Sequence, residues 1–373
     1  MTKGKDDEES REDVTKIEIE AEGKGRRTEI LSYATGIYPR SSSLITATRR
    51  LGSNDPRLRE LFLKGKKSWI NTQRRARLNY ISDPMIDWDD IFRPFSKVRG
   101  IELGALNRFF ETNTFYRRLI VKDALDGYGS IVYDHLALDL IDTNDKIKEK
   151  GKRSRHKGKS SSINIIYGKV VCMPDPYTFA YMNENTYYKS YEDYLSAIAD
   201  MLNAEAKTLA ENGVDIIQLN SPALAYNLSN GIDVDLSMVK DAIEKVKRGV
   251  RSKVYLYLYF GNVSSVFNRL IDINVDGIGF DATSTRLASI LGYDVKGKDI
   301  VIGILDAMNT RLEDAKSTAA ALDFVIDRMN SEHILLTVSN SLEFLPYRFA
   351  LKKLSLLGNI ARLVKAKQNG VMI

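Results

Sequence analysis

The stretch from Val254 to Asn262, VYLYLYFGN, constrains the fold of this chain more than any other. It is apolar on both faces, rich in aromatic residues, and ends in Gly-Asn. Such a run is typical of a parallel strand that is buried on both sides. Tyr257 and Tyr259 are two residues apart and therefore project from the same face of the strand. Their hydroxyls either line a polar pocket or are hydrogen-bonded within a core layer.

Short apolar strands alternate regularly with longer helices from Val170 onward. Strands are predicted at residues 170–173, 215–219, 253–260, 277–280, 300–305 and 334–338, with an earlier one at 30–39. Helices are predicted at residues 57–80, 191–210, 238–247, 263–271, 311–329 and 346–367. Strands separated by single helices imply βαβ units and a parallel sheet. Six late strands and one or two early ones favour an α/β fold, the (β/α)8 TIM barrel, over an open sheet.

Two polar segments lack any hydrophobic period. Residues 1–27 are predicted to be a disordered tail, which leaves residues 28–373 for a single barrel domain. Between Lys146 and Lys159 there are eight basic residues and one acidic residue, Glu149. We interpret residues 143–162 as a flexible basic loop inserted into the barrel, since such runs are most often solvated. Its candidates for a polyanion contact are Lys152, Arg153, Arg155 and Lys157, but a nucleic-acid role is not expected.

The composition limits the expected cellular location of the protein and the chemistry of its site. No run of eighteen apolar residues occurs and the first thirty residues are charged, so we expect no membrane span, no secretory signal and a cytoplasmic protein. The single cysteine, Cys172, is in an apolar run and is interpreted as a core residue. The three histidines are scattered, and no metal is expected. The net charge of +6 permits an anionic partner.

In a TIM barrel the functional residues lie at the carboxyl ends of the strands. The polar side chains at the predicted strand ends are Tyr38, Arg40, Gln218, Asn220, Tyr257, Tyr259, Asp281, Asp306, Asn309 and Asn340. This set has no cysteine, no histidine and no paired carboxylates. It favours a hydrogen-bonding pocket over a nucleophilic or zinc-assisted site. The alternative is that Asp306, Asn309 and Asp281 only cap the helices that follow them, which is a common role of Asp and Asn.

Several of these strand ends resemble the cobalamin-independent methionine synthase family. IQLNSPAL and MPDPYTF resemble its strand segments IQ-D-E-P-A-L and G-P-V-T-F, and RFFETNTFY resembles K-W-F-D-T-N-Y-H-Y. YLYFGN, DGIGFD, LDAMN and LTVSNSLEFLP follow in the family's order. The family is a tandem of two related barrels, and the details resemble the amino-terminal one from about Tyr33 to Gln368. The resemblance adds Arg108 and Asn113 to the pocket candidates, and it implies that Asn113, Asp306 and Asn309 form one polar cluster at the barrel mouth.

The departures from the family concern the metal and the substrate. In its catalytic carboxyl-terminal barrel, zinc is held by His-x-Cys, by Glu and by a second Cys. Those positions correspond here to Tyr257 and Tyr259, to about Asp281 and to about Asn340. Phenols and an amide are poor ligands for zinc, so no zinc and no other bound cofactor is expected. The family's anion-binding R-E-L-K is replaced by residues 43–46, although Arg40 is nearby, and a folate or pterin is the candidate ligand.

The leading hypothesis is a zinc-free half of a split cobalamin-independent methionine synthase. It would act in methyl transfer from a folate or pterin donor to homocysteine only with a separate zinc-bearing catalytic barrel. One alternative is a stand-alone barrel that binds a pterin or an amino acid without catalysis. Another is a divergent methyltransferase that needs no zinc. No catalytic residue is identified.

Overall fold

The computed structural model describes residues 28–52, 55–141 and 166–370. The predicted tail at residues 1–27 and the whole basic loop at residues 143–162, with its four candidate residues, lie outside these ranges. Within them, no helix is long and apolar enough to cross a membrane.

The strands of the described residues follow the predicted alternation. In chain order they are β1 (Glu29–Ser32), β2 (Tyr80–Ser82), β3 (Arg99–Arg108), β4 (Phe115–Asp126), β5 (Gly168–Pro174), β6 (Glu184–Asn185), β7 (Ile216–Asn220), β8 (Lys253–Leu258), β9 (Gly277–Asp281), β10 (Asp299–Leu305) and β11 (His333–Val338). Eight of them form one parallel sheet in the order β1-β11-β10-β9-β8-β7-β5-β2. All six late strands are confirmed.

The first strand joins the two ends of this sheet. Its residues pair in parallel with β11, in the register Glu29 to His333. On its other side the Asn79 backbone N–H, just before β2, donates to the Ser32 carbonyl oxygen at 2.9 Å. The sheet is therefore a nearly closed barrel, which confirms the predicted fold class.

The helices surround the barrel. They are α1 (Ser42–Arg50), α2 (Pro56–Ala76), α3 (Pro176–Met182), α4 (Tyr191–Glu211), α5 (Pro222–Ser229), α6 (Leu236–Lys247), α7 (Phe267–Leu270), α8 (Ala315–Ile326) and α9 (Tyr347–Gln368). α2 shows how the sequence sets a helix start: Asp55 accepts a hydrogen bond from the Arg57 N–H and Pro56 is the first helical residue. A Cβ on Gly358 of α9 would overlap the Ala76 carbonyl, so this glycine lets α2 and α9 approach closely.

Three predicted elements are shorter than expected. The strand predicted at residues 30–39 ends at Ser32, and its continuation turns at Gly36, whose φ is +74°. The helix predicted at residues 263–271 is a single turn, α7. The helix predicted at 311–329 begins only at Ala315, because Asp314 caps it by accepting from the Ser317 N–H at 2.8 Å.

A second, smaller sheet was not predicted. β3 and β4 form an antiparallel hairpin inserted between β2 and β5, and β6 adds to its edge. β3 is exposed along most of its length, so it lacks the alternation of apolar and polar residues that identifies a strand. The chain after the hairpin is held by buried Glu205 of α4, which accepts hydrogen bonds from the N–H groups of Gly129, Ile131 and Val132.

Candidate functional site

A buried hydrogen-bond network fills the barrel interior near the carboxyl ends of the strands. The Tyr33 hydroxyl donates to Gln218 Oε1, and Gln218 Nε2 donates to Thr35 Oγ1 and, at 2.6 Å, to Asn220 Oδ1. Cys172 accepts from the Gly36 N–H at 3.4 Å. The predicted candidates Gln218 and Asn220 are thus together, and both are engaged by the protein itself.

Tyr257 crosses the barrel interior. From β8 its ring passes β9 and β10 at Gly279 and Gly303, where any Cβ would collide with it. Its hydroxyl reaches β11 and donates to the carbonyl oxygens of Val338 at 2.7 Å and Ser339 at 3.0 Å. The Tyr257 hydroxyl is therefore hydrogen-bonded within the core and does not line an open pocket. This is one of the two arrangements predicted from the sequence.

Tyr259 differs from its neighbour. Its ring lies 5.9 Å from that of Tyr257, and its hydroxyl has no hydrogen-bond partner within residues 28–52, 55–141 and 166–370. Burial, and after it the negative charge of Glu343, raise the pKa of Tyr259 far above its ordinary value.

The donors at the positions that resemble the family's zinc ligands do not suit zinc. The Tyr257 hydroxyl is committed to carbonyl oxygens, and the Asp281 carboxylate accepts from Thr283 and Ser284. Asn340 contributes a buried amide oxygen that has no hydrogen-bond partner in the described part of the chain. Among the described residues, no three His, Cys, Asp or Glu side chains are grouped so that they could hold a metal ion.

Aromatic rings close the centre of the barrel mouth. Phe109 and Phe110, from the tip of the β3–β4 hairpin, meet Phe260 after β8 at ring distances of 6.0 and 5.4 Å. Phe109 also stacks on Phe344 at 6.3 Å, and Phe110 packs on Tyr226 at 5.2 Å. We call these five residues the aromatic plug. Phe110 and Phe260 hold positive φ angles of 49° and 69°, a strained conformation that the surrounding packing must maintain.

Arg108 and Asn113 lie at the two ends of the hairpin tip. Arg108 Nε donates to the Thr112 carbonyl oxygen at 2.6 Å, which stabilises the tip from within. Asn113 is exposed to solvent. Asp306 and Asn309 follow β10, and each accepts from a backbone N–H two residues later, at 2.8 and 2.9 Å. No hydrogen bond joins Asn113 to either of them within the described residues, and their joint role stays a prediction.

The loop after β10 is fixed by an ion pair between a buried lysine and a partly exposed glutamate. Lys353 of α9 is fully buried, and its ammonium group contacts both carboxylate oxygens of Glu313 at 2.7 Å. Glu313 also accepts from the Asp306 backbone N–H at 2.8 Å. This pair connects α9 to the start of the loop that carries Asp306 and Asn309.

A cavity of about 300 Å³ lies beside the plug, where the loops after β1, β2 and β11 meet. It contains two of the predicted candidates, Tyr38 and Arg40. The Tyr38 hydroxyl is 2.9 Å from Ser82 Oγ. The residues that line the cavity are Ile37, Tyr38, Pro39, Arg40, Ile45, Trp88, Asp89, Glu343, Leu345, Pro346 and Tyr347.

Two acidic residues line this cavity, Glu343 and Asp89, and neither was predicted from the sequence. Asp89 is paired with Arg40. The Glu343 backbone N–H donates to the Ile37 carbonyl oxygen at 2.9 Å, but the Glu343 carboxylate makes no hydrogen bond within the described ranges. Burial, and then the charge of Asp90, raise the pKa of Glu343 to about 8, against the opposing charge of Arg40. The available signal was a lone carboxylate two residues beyond Ser339-Asn340-Ser341, at the end of the last strand.

Comparisons with known proteins agree on one family. The family model described as cobalamin-independent synthase, N-terminal domain, matches residues 141–330. A methionine synthase of Sulfurisphaera tokodaii is 27% identical over 323 residues, which are 86% of this chain and 88% of that protein. A methionine synthase of Saccharolobus islandicus is 28% identical over 200 residues, which are 52% of this chain and 58% of the relative.

The solved structures show the same barrel. A B12-independent methionine synthase from Shewanella sp. W3-18-1, in complex with selenomethionine, superposes with a TM-score of 0.70 at 16% identity. The match covers 91% of this chain and 99% of that chain. At this identity the likeness concerns the fold alone.

Proposed function

Because the chain belongs to the cobalamin-independent methionine synthase family, through its amino-terminal domain, we propose that it is the zinc-free half of a split methionine synthase. In this proposal a separate chain supplies a zinc-bearing catalytic barrel. The two together transfer a methyl group from a folate or pterin donor to homocysteine in the cytoplasm.

This proposal rests mainly on the hydrogen bonds of Tyr257, which engage the hydroxyl that a metal would need. The residue at the family's first zinc-ligand position spans the barrel and is bonded to two carbonyl oxygens of β11. Freeing its oxygen for a metal would leave an empty space against Gly279 and Gly303. This supports activation of the thiol substrate by residues outside this barrel interior.

The hairpin offers a surface for the second chain. Leu103, Leu106 and Phe115 expose 53%, 56% and 55% of their surface, and the hairpin tip closes the barrel mouth. Exposed apolar side chains of this size are common where one protein contacts another. We place the contact with the zinc-bearing barrel on this hairpin, beside the mouth.

The experiment measures methyl transfer to homocysteine with three samples: this chain, a zinc-bearing methionine synthase barrel from the same organism, and both. The proposal expects activity in the mixture to exceed the sum of the separate activities, and sedimentation velocity to show a mixed complex. Phe115→Glu should abolish both effects, since it places a charge in the contact. Phe324→Glu is the matched control, because Phe324 is equally exposed on α8. A mixture no more active than the zinc-bearing barrel alone would disprove the split enzyme.

One observation favours a second candidate, a stand-alone binding barrel without catalysis. The cavity that contains Glu343 is open to solvent beside the plug, and the Glu343 carboxylate has no partner among residues 28–52, 55–141 and 166–370. Such a cavity can bind a small molecule whether or not a second barrel is present.

A further inference from the structure

Two adjacent helices give one side of the barrel a strongly basic surface. α2 contains seven basic residues and one acidic residue, Glu60, and α9 contains six basic residues and no acidic one. Their combined net charge is +12, twice the +6 of the whole chain, so the other residues are acidic on balance. The helices lie side by side, because Gly358 of α9 packs against the Ala76 carbonyl at the end of α2. Positive charge is therefore concentrated on this side of the barrel.

Most of this charge has no counter-charge among the described residues. Six exposed side chains form no ion pair with a carboxylate in residues 28–52, 55–141 and 166–370, and we call them the basic surface: Arg59, Lys64, Lys67, Arg75, Lys352 and Arg362. Arg362 donates to neutral acceptors, the Ala76 carbonyl oxygen and Asn359 Oδ1, at 3.4 Å each. Burial, and then the charge of Arg77, lower the pKa of Arg362, so like charges are held close together where the helices meet. Such a surface favours an anionic partner.

The amino-terminal segment of the chain carries the opposite charge. Residues 6–22 include nine acidic and two basic residues, for a net charge of −7. The chain joins the barrel beside the end of α9, because Thr28 lines one groove with Lys367 and Gln368. The charge of Glu29 also acts on Lys365 of α9, where it partly offsets the lowering of the lysine's pKa by burial. The acidic segment is therefore attached at one end of the basic surface.

The segment is long enough to reach the whole basic surface. Ser10 is 18 residues before Thr28, which allows a span of up to about 60 Å when the chain is extended. The 22 residues of α9 are only about 33 Å long. Attachment through a short stretch of chain gives the segment an effective concentration in roughly the millimolar range near the surface. An attraction of millimolar strength is therefore enough to keep the contact populated.

We propose that the chain's own acidic segment, residues 6–22, occupies the basic surface of α2 and α9. The contact is electrostatic, between the carboxylates of the segment and the guanidinium and ammonium groups of the surface, and it weakens as salt rises. It shields the surface from other anionic polymers. This inference goes beyond the proposed function, because it requires neither a second chain nor methyl transfer and concerns a surface other than the hairpin.

The test places a nitroxide label in the segment of the full chain and observes ¹³C-methyl signals of the barrel. Ser10→Cys supplies the thiol for the label. Cys172 is buried, and a chain without the added cysteine checks that it stays unlabelled. The reporter is Leu63, which is 46% exposed on α2, and the reference is Ile232, which is 42% exposed across the barrel between α5 and α6. A nitroxide weakens the signals of the methyl groups that it approaches.

Salt tests whether charge brings the segment to the helices. At low salt the nitroxide should weaken the Leu63 signal about twofold or more and leave the Ile232 signal unchanged. At about 1 M salt the Leu63 signal should recover, because the Debye length falls to about 3 Å. Chemical reduction of the nitroxide gives the unweakened intensities for comparison.

Charge reversal on α2 tests which surface is involved. Lys67→Glu with Arg75→Glu should restore the Leu63 signal at low salt, since it reverses two charges of the basic surface. Neither side chain makes a hydrogen bond or an ion pair within the described residues, so the melting temperature should hardly change. The matched control is Arg251→Glu with Arg311→Glu, the same charge change at two exposed positions outside α2 and α9, which should leave the signal weakened.

Charge removal from the segment gives an independent measurement. Glu18→Gln, Glu20→Gln and Glu22→Gln together lower the negative charge of the segment and alter no residue of α2 or α9. This triple variant should recover about half or more of the lost Leu63 signal at low salt. Agreement between the two sets of variants identifies both partners of the contact.

Three outcomes would overturn the proposal. The first is a Leu63 signal that is not weakened at low salt, or a weakening that neither salt nor the two sets of variants reduce. The second is weakening in isotope-labelled protein without a nitroxide when nitroxide-labelled protein is added, because the partner would then be a second copy. The third is binding of oligouridylate with equal affinity to the unsubstituted chain and the triple variant, because the surface would then be open to nucleic acid. None of these depends on the methyl-transfer assay, so failure here and failure of the split enzyme are separate results.

Discussion

The hydroxyl of Tyr257 on β8 lies against the Cα of Gly303 on β10, in the space that any larger residue would fill. A Cβ at position 303 would collide with that hydroxyl and would lie 2.9 Å from the Ser339 Cα. The glycine and the tyrosine are therefore one structural unit, which allows β8 to contact β11 across two intervening strands.

Gly303→Ala should destabilise the fold by about 1–3 kcal/mol, because the added methyl group displaces the Tyr257 ring. Tyr257→Phe alone should cost about 0.5–1.5 kcal/mol, for its lost hydrogen bonds. Urea unfolding of both single variants and the double variant measures their coupling. The double variant should lose less than the sum of the two, since the phenyl ring leaves room for the methyl group. Strict additivity would show that the two residues are independent.

The aromatic plug should control access to Cys172, the single cysteine, which is buried inside the barrel. Phe109→Ala removes ring contacts with Phe110, Phe260 and Phe344. The reaction of Cys172 with a thiol reagent should then accelerate about tenfold or more, since local opening becomes easier by at least 1.4 kcal/mol. Leu354→Ala, a buried change on α9, controls for general destabilisation. Equal acceleration by both variants would mean that the thiol reacts only through global unfolding.

The ion pair of buried Lys353 with Glu313 predicts how stability changes in a single and a double variant. Glu313→Gln should destabilise the protein by about 3–5 kcal/mol, because it leaves the Lys353 ammonium group buried without a counter-charge. Adding Lys353→Met should restore most of the loss, since an apolar chain of similar length replaces the charge. Thermal and urea unfolding would report both effects. A double variant as unstable as Glu313→Gln would refute the explanation by an unpaired charge.

Asp175 should make stability fall as the pH rises from about 4 to about 6. It is fully buried at the start of α3, and burial raises its pKa to about 6, against hydrogen bonds from Thr178 and Tyr177 that lower it. In the unfolded chain the pKa is about 4. Below that value both states are protonated and the contribution is fully present. It is lost as the pH rises through the folded-state pKa, for a total of about 3 kcal/mol.

Asp175→Asn isolates this effect from the other carboxyl groups. The Tyr177 and Thr178 backbone N–H groups donate to different carboxylate oxygens, so the single amide oxygen keeps one of the two N-cap bonds, and the loss of the other is the same at every pH. Unfolding of both proteins at pH 4, 5, 6 and 7 should show the variant gaining about 3 kcal/mol relative to the wild type across the series. A difference that does not change with pH would contradict the raised pKa.

The sequence predicted the barrel because its late strands carry a strong local signal. β5 and β7 to β11 are apolar runs spaced by helices, and the family motifs at their ends appear in order. The hairpin was missed because β3 is largely exposed and has no alternation. Similarly, Val254–Asn262 predicts a buried strand but not the path of Tyr257, which depends on glycines in two other strands.

Only some of the residues that line the cavity could be predicted from the sequence. Tyr38 and Arg40 were found because they follow a predicted strand. Glu343 and Trp88 reach the same cavity from loops about 255 residues apart, and nothing local in either loop indicates that they meet. That no described cation pairs with Glu343 is likewise a property of the assembled loops, because the sequence contains many lysines and arginines.

The pairing of β1 with β11 has a consequence during synthesis. Glu29 and His333 are about 300 residues apart, so the ribosome makes β1 and then works for about 15 to 60 s before its partner strand exists. Throughout that time one edge of β1 has no strand to bind. A nascent chain stalled before β11 should therefore bind chaperones and be cut readily by proteases, and it should lose both properties once residue 338 has cleared the exit tunnel.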